Sequence, residues 1–499
     1  MIEERDRERV VVGSVLEDGP EATLRRIRSL PEACARVEVR ADRLRAGDLP
    51  GVIREAGRPV LVAARRPEDG GCFTGSEGER RTVLESALRA GARYIDVEWG
   101  SPLADLATAT PPDRIVLSHH GAPCRTGALR ALYRDMSSVR GVRLKIVPRA
   151  DRVSDLTAVR ATLELARTDG RALACFAAGR AGMASRVLAL AWGSWATYGA
   201  ASAGRETAEG QIPAHELLDV YRVEEIGART RLRALIGSSV AGSPSAAMHN
   251  AAYRESGLDA RYLAVETDDL DEVLPLLGAA GAPGLDALAV TLPFKVAAAA
   301  RSEPGDDVAR ISGAVNTVVA RGDRPIGYNT DGPAVRALLG RHLDLCGARV
   351  ACVGAGGTGR GAAAALRLAG AEVTLFNRSL ERARAVASEI GVAAADLRSL
   401  PSADWDALVQ ATPLGAAGEE VLPADRLRGR VVLDAVYGPE PTPLVRDARR
   451  QGLAVVDGFE LLVEQALLQY RHMTGVSPSR ATMVRAGYRW LRQRRAGDA

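Results

Sequence analysis

Between residues 9 and 204 the chain alternates short runs of branched apolar residues with longer segments of helical period. The runs begin near Arg9 (RVVVGSV), Ala35 (ARVEVRAD), Arg58 (RPVLVAAR), Ala92 (ARYIDVE), Arg114 (RIVLSHH), Arg143 (RLKIVPR), Ala172 (ALACFAAG) and Trp195 (WATYGAA). Eight strands at this spacing, alternating with helices, predict an α/β fold that opens with a (β/α)8 TIM barrel. Such barrels do their chemistry at the carboxyl ends of the strands, and this chain gathers ionisable residues there. Period two puts Glu38, Arg40 and Asp42 on one face of the second strand. Arg65 ends the third, Asp96 and Glu98 share a face of the fourth, His120 closes the fifth and Lys145 lies on the sixth. Burying so many charges in one mouth costs several kcal/mol unless they are paired, so the set points to function. For Asp42 alone a surface ion pair is the expectation.

A charged connector over residues 212–229, expected to be helical, leads into a second βαβ pattern at Thr230 (TRLRALIG). The loop that follows is rich in small hydroxyls and opens a helix. It suits either the binding of a polyol through Ser243 and Ser245 or simple capping. A buried strand (LAVTLPFK) is expected to deliver Lys295 at its end, and GAVNT and GYNTDG then place Asn316 and Asp331 at strand ends. Lys295 beside Asp331 would exchange a proton with a substrate oxygen. The strand RVACV runs into Gly354-Ala355-Gly356-Gly357-Thr358-Gly359 and an alanine-rich helix. Those glycines admit a pyrophosphate to the helix N-terminus. The next strand ends in Asn377-Arg378-Ser379, where an acidic residue would hold a ribose hydroxyl and Arg378 instead suits a 2′-phosphate. Arg382, one turn on, is a second phosphate contact or a solvated side chain. The cofactor is expected to be NADP(H).

With 499 residues the chain exceeds one core and splits into two or three domains. It is 46% hydrophobic and 26% charged, with a net charge of +4 and arginines spread evenly, so no nucleic-acid partner is expected. The uncharged stretch 187–204 is broken by Gly193, Ser194, Thr197 and Gly199. It reads as a buried helix and strand rather than a membrane span. Met1-Ile2-Glu3-Glu4-Arg5-Asp6 is charged from its third residue and does not read as a signal peptide. Six cysteines lack any CxxC spacing, so a cytoplasmic location and no metal are expected.

Composition changes the picture most through lysine. Of 66 lysines and arginines only Lys145 and Lys295 are lysine. A guanidinium does not deprotonate near neutral pH, so these two are the candidates for amine chemistry. Near cationic neighbours such as Arg65 and Arg186, the Lys145 amine would attack a ketone to form an imine. His120 would then take the adjacent carbon's proton and later protonate a leaving hydroxyl, while alternation turns His119 away.

The first half resembles the type I 3-dehydroquinate dehydratases. The resemblance rests on Glu38-Val39-Arg40, Arg65 with Gly70-Gly71, Tyr94-Ile95-Asp96-Val97-Glu98, Ser118-His119-His120, Lys145-Ile146, Ser185-Arg186 and Gly210-Gln211. It implies Lys145 as the Schiff-base lysine and His120 as the acid–base group. Glu38, Arg40, Arg65 and Arg186 would bind substrate, Arg186 its carboxylate, with Thr207 and Gln211 in a closing loop. Asp69 stands where the family usually has glutamate. Glu209 in Thr207-Ala208-Glu209-Gly210-Gln211 replaces a proline and is expected to loosen that loop.

Residues 235 to about 487 resemble shikimate dehydrogenase. The motifs above are joined there by Gln410-Ala411-Thr412-Pro413-Leu414-Gly415, Tyr437 with Thr442-Pro443-Leu444, and Asp457-Gly458 followed by Gln465. The resemblance implies Lys295 and Asp331 as the catalytic pair and Ser243, Ser245, Thr291, Asn316 and Gln465 as substrate ligands. Gly354, Ala355, Gly356, Gly357 and Gly359 would bind NADP together with Asn377, Arg378, Ser379 and Arg382. Thr412, Tyr437 and Gly458 complete that site. Gly242-Ser243-Pro244-Ser245 replaces the common His-Ser-Lys-Ser, and Gln410 a usual asparagine.

The expected domains are a barrel over 1–222, a substrate-binding lobe over 230–333 completed by 460–499, and a Rossmann NADP-binding domain over 334–459. Taken whole, the chain resembles the fused dehydratase–dehydrogenases of aromatic amino-acid biosynthesis. These convert 3-dehydroquinate to 3-dehydroshikimate and reduce it to shikimate. The alternatives are a barrel fused to a catabolic quinate dehydrogenase, and a regulator that senses these metabolites without turnover. Oligomeric state is not legible.

Overall fold

The computed structural model describes residues 9–276, 284–321, 324–438 and 440–497. The charged N-terminal hexapeptide and the last two residues of the expected C-terminal segment lie outside the described residues. The chain divides into two compact units, one ending at Thr230, the other running from Arg231 to Arg492 apart from Leu263–Thr267.

The first unit is a barrel. Its strands are β1 (Val10–Val15), β2 (Arg36–Arg40), β3 (Val60–Ala63), β4 (Tyr94–Glu98), β5 (Ile115–Pro123), β6 (Arg143–Arg149), β7 (Leu173–Cys175) and β8 (Ala196–Ala200). They pair in the order β7-β6-β5-β4-β3-β2-β1-β8. The Trp195 N–H donates to the Leu173 carbonyl at 3.2 Å, drawing the two ends of that order together. Val12, Leu61, Val116, Ala174, Phe176 and Tyr198 pack within one core, as expected of parallel strands covered on both faces. The connector is helical only in part, over Glu216–Val220 and the short 3-10 turn Val223–Glu225. Between them Arg222 adopts φ 47°, a left-handed backbone that no helix can continue through.

The second unit holds two sheets. The first comprises β9 (Arg231–Gly237), β10 (Ala260–Glu266), β11 (Leu285–Val290), β12 (Glu303–Pro304), β13 (Thr317–Arg321) and β14 (Arg324–Tyr328). Their order is β10-β9-β11-β13-β14-β12, with β13 antiparallel to both neighbours. The second sheet is parallel throughout and comprises β15 (Arg349–Val353), β16 (Glu372–Asn377), β17 (Ala393–Asp396), β18 (Ala407–Gln410), β19 (Val431–Asp434) and β20 (Ala454–Val456). Its order β17-β16-β15-β18-β19-β20 is the doubly wound dinucleotide-binding order, which reverses between β15 and β18 and leaves a crevice at their carboxyl ends.

Two placements differ from expectation. β11 stops at Val290, and Lys295 opens the helix Lys295–Ala300 rather than ending the strand. Pro293 intervenes and cannot donate to a ladder. Asn316 comes just before β13, and Asp331 opens the helix Asp331–Leu339.

Behind the crevice, the helix Ser245–Glu255 buries His249 among aromatic rings. The imidazole stacks on Tyr262 at 4.2 Å and lies 6.2 Å from Tyr470. Neither ring nitrogen has a hydrogen-bond partner among the described residues. Burial, then the nearby Arg233, lowers its pKa to about 3. The unfolded chain protonates this histidine near pH 6.5 and the folded chain does not. Its contribution to stability is therefore complete above about pH 6.5 and lost as pH falls toward about 3. Between pH 6.5 and 5 the second unit should lose about 2 kcal/mol through this residue. Urea denaturation of His249→Phe at both pH values should show that loss removed, and an unchanged pH slope would refute the assignment.

Candidate active sites

The barrel mouth is built by strand ends. Lys145 on β6 donates to Glu38 Oε1 at 2.9 Å and to Asp96 Oδ2 at 3.2 Å. Its ammonium lies 4.0 Å from the centre of the Tyr198 ring. Its immediate ionic partners are therefore carboxylates, where the sequence suggested cations. Arg65 reaches the same two groups, at 2.9 Å from Asp96 and 3.5 Å from Glu38. Ser14 donates to Glu38 at 2.6 Å, and Ser118 to Asp96. Burial opposes ionisation of Glu38, but Lys145, Arg65 and Arg40 outweigh it and hold the carboxyl at about 2. Glu98 goes the other way. Burial, with Asp96 beside it, pushes it up to about 7 even though fully buried Arg80 donates to it at 2.7 Å.

Asp42 is not a surface residue. It is buried, accepts from Arg40 at 2.6 Å, and also takes the backbone N–H groups of Arg65 and Cys72. The chain turns sharply after β2, at Ala41–Arg43, and this folds Asp42 back onto Arg40. Glu38, Asp42, Asp96 and Glu98 thus meet Arg40, Arg65, Arg80 and Lys145, four charges against four. Arg186 is a fifth cation. It is buried against the Phe176 ring at 4.8 Å, and its Nε and Nη2 have no partner among the described residues. Burial lowers its pKa to about 10, with Glu38 opposing. A desolvated guanidinium with donors to spare fits an anionic substrate group.

His120 Nε2 lies 2.6 Å from Arg65 Nη1. Arginine only donates, so Nε2 accepts and Nδ1 carries the proton. Burial first, then Arg65 and Lys145, lowers the histidine well below its ordinary pKa, which leaves it neutral. Asp69 pairs with Arg66 at 2.9 Å. In the loop after β8, Gln211 Oε1 accepts from Thr207 N–H at 2.7 Å, and the Thr207 hydroxyl lies 3.0 Å from Ser14 Oγ. In the same loop Glu209 forms an exposed ion pair with Arg149 at 2.6 Å.

The second site is a cavity of about 480 Å3 at the crevice of the second unit. Lys295 donates to Asp331 at 2.5 Å, and Asn316 Nδ2 donates to the other Asp331 oxygen at 2.7 Å. Ser243, Ser245, Thr291 and Gln465 line the same space. So do Gly354, Ala355, Gly356 and Gly357 with Asn377, Arg382, Thr412, Tyr437 and Gly458. Gly359 lies beneath the loop, where a Cβ would overlap the Gly354 carbonyl and lift the helix off its turn. Gly356, by contrast, has open space beside it, a cradle that suits a pyrophosphate. Arg378 does not line this cavity. It is exposed beside a shallower hollow with Asp396 and Arg398. Ser379 caps the helix Leu380–Ile390 by accepting from Arg382 N–H. Gln410 is buried and bonds to the backbone of Thr412 and Leu414, a role in shaping the turn.

Sequence reasoning missed several residues. Ser14 at the end of β1 obeys the strand-end rule that found the others. Gln469, which donates to the Asn316 carbonyl at 3.0 Å, lies one helical turn from Gln465. Tyr198 and Arg80 carried no comparable signal, because an aromatic on a strand and an arginine on a helix are ordinary.

Three family models match: type I 3-dehydroquinase over residues 14–228, shikimate dehydrogenase substrate binding domain over 235–318, and shikimate / quinate 5-dehydrogenase over 337–417. A bifunctional 3-dehydroquinate dehydratase/shikimate dehydrogenase, chloroplastic, from Arabidopsis thaliana is 30% identical over 471 residues, covering 88% of this chain and 77% of that one. The chain belongs to this bifunctional family. A shikimate dehydrogenase (NADP(+)) from Halobacterium salinarum is 42% identical over 255 residues, half of this chain and 95% of its own. Among solved structures, dehydroquinate dehydratase and shikimate dehydrogenase from S. pombe spans 97% of this chain and 98% of its own, at 24% identity and TM-score 0.43. Shikimate 5-dehydrogenase from Thermus thermophilus in complex with NADP(H) and shikimate spans 52% of this chain and 100% of its own, at 36% identity and TM-score 0.47. Among the described residues no helix is long and apolar enough to cross a membrane. No group of three or more His, Cys, Asp or Glu among them is placed to hold a metal ion.

In the dehydratase unit the ion pairs differ sharply in weight. Arg80→Ala removes the fully buried partner of Glu98, leaves it only Arg65 at 4.0 Å, and should cost the barrel about 3–5 kcal/mol. Arg81→Ala breaks an exposed pair with Asp105 and should leave the stability of the barrel nearly unchanged. Urea denaturation of the two variants compares them directly, and equal costs would contradict this reading.

Proposed function

We propose that the barrel dehydrates 3-dehydroquinate to 3-dehydroshikimate through an imine on Lys145, and that the second unit reduces that product to shikimate with NADPH. The observation that carries this is the placement of the only two lysines. Each is buried against a carboxylate in a site at the ends of parallel strands.

In the barrel, the substrate carboxylate pairs with Arg186, the cation left over when the others are matched. The Lys145 amine, once it has lost its proton, attacks the ketone carbon, and loss of water gives the imine. The imine acidifies the neighbouring carbon. His120, released from Arg65, takes its proton on Nε2 and returns it to the departing hydroxyl, which leaves as water. Hydrolysis of the imine then frees the enone. Glu38, Arg40 and Arg65 hold the substrate hydroxyls, and the loop with Thr207 and Gln211 keeps bulk water out.

In the second unit Gly354, Ala355, Gly356, Gly357 and Gly359 with Asn377 and Arg382 would hold the cofactor, and Arg378 at the surface would meet its 2′-phosphate. The reduced cofactor supplies a hydride to the substrate carbonyl carbon. Ser243, Ser245, Thr291, Asn316 and Gln465 orient the substrate. Lys295 gives a proton to the oxygen as it becomes an alcohol, with Asp331 holding the ammonium in place. The domain limits 1–222, 230–333 with 460–499, and 334–459 belong to the same reading. So does a cytoplasmic location, which the six free cysteines support.

Borohydride added with 3-dehydroquinate should fix the substrate to Lys145 alone, read by mass spectrometry of the two lysine-bearing peptides; label at any other residue rejects the imine. Lys295→Ala should lower shikimate dehydrogenase turnover by at least about 100-fold with NADPH and leave dehydratase turnover within about twofold. Parallel loss of both activities would mean the two sites do not work independently. The same assays with NADH and with quinate place the preference.

A further inference from the structure

Lys295 is not held by Asp331 alone. Its amine also donates to Thr358 Oγ1 at 2.9 Å, and that hydroxyl lies 3.4 Å from Asp331 Oδ2. An ammonium only donates and a carboxylate only accepts. The hydroxyl must therefore accept from Lys295 and donate to Asp331, closing a triangle of three side chains. Among the described residues the Thr358 hydroxyl bonds to nothing else.

Thr358 is also part of the glycine-rich turn, as the second residue of the helix Gly357–Leu368. The turn is packed directly on the stem of the lysine. A Cβ on Gly357 would come within 2.6 Å of Lys295 Cβ and 2.8 Å of its Cδ. Glycine at 357 thus lets the loop approach the lysine, and threonine at 358 bonds to it. The other positions of the turn are glycine or alanine and offer no side-chain acceptor.

We propose that Thr358 is a positioning residue of the dehydrogenase, whose hydroxyl seats the Lys295 ammonium on the loop that takes the cofactor phosphates. This rests on the reading of Lys295 as the proton donor. The loop then does two jobs with adjacent residues. Its glycines admit the pyrophosphate, and its one hydroxyl fixes the direction of the amine.

Valine matches threonine in shape and removes only the hydroxyl, and serine keeps it. Trace acetylation of the unliganded full-length protein across pH, read on the two lysine peptides, tests the contact without turnover. Lys145 is the internal reference. In Thr358→Val, Lys295 should acetylate several-fold faster than in the parent at the same pH, with Lys145 unchanged and Thr358→Ser like the parent. In turnover, Thr358→Val should lose about tenfold in kcat for ketone reduction. Its KM for NADPH should stay within about twofold. Lys295 labelling in Thr358→Val that overlays the parent's overturns the proposal, as does a serine variant as impaired as the valine one. Full dehydrogenase turnover in Lys295→Ala would instead defeat the reading of the lysine, and the labelling of unliganded protein would still decide the contact.

Discussion

An ammonium held against a carboxylate where little water reaches is the interaction on which both sites are built. Its energetics are asymmetric. A buried pair adds little to stability compared with a well-packed apolar pair, but removing one member leaves a charge that nothing solvates. Sites built this way are intolerant of piecemeal change, and the rest of each unit arranges itself to keep the partners in place. In the barrel, serines from β1 and β5 fasten the two carboxylates that face Lys145. In the second unit, Asn316 holds the free oxygen of Asp331, and Gln469 in turn holds the Asn316 backbone.

The two lysines reach similar surroundings by different routes. Lys145 projects from mid-strand, so its height in the barrel is set by sheet register, in which it stands opposite Ser118. Lys295 opens a helix and meets Asp331 at the head of another. Its place is set by how those helices and the glycine-rich turn crowd together. The first arrangement is stiff in the direction of the strand. The second depends on side-chain contacts between segments far apart in sequence.

That difference explains what could be read from the residues alone. Barrel strands announce themselves by branched apolar runs of fixed spacing, and period two then orients Glu38, Asp96 and Lys145 with no further information. Alternation does not continue through turns. Asp42, one residue into a turn, went inward when a surface position was expected, and Lys295 sat past a proline rather than on its strand. The electrostatic surroundings of Lys145 were misjudged for a related reason. Strand spacing shows which residues share a mouth, but the nearest neighbour is decided by side-chain reach, and Glu38 and Asp96 lie closer than the arginines expected to act on it. Arg378 kept its predicted position after β16 yet lines a smaller hollow with Asp396 and Arg398 rather than the main cavity.

The surplus guanidinium of the barrel has a chemical consequence beyond recognition. Many aldehydes and ketones that could react with the Lys145 amine carry no carboxylate. Any such molecule entering the mouth would leave Arg186 as desolvated and unanswered as before, so its capture would forgo the stabilisation that an anionic ketone would gain there. Charge balance would thereby bias the lysine away from stray carbonyl adducts, a form of selection that requires no gate.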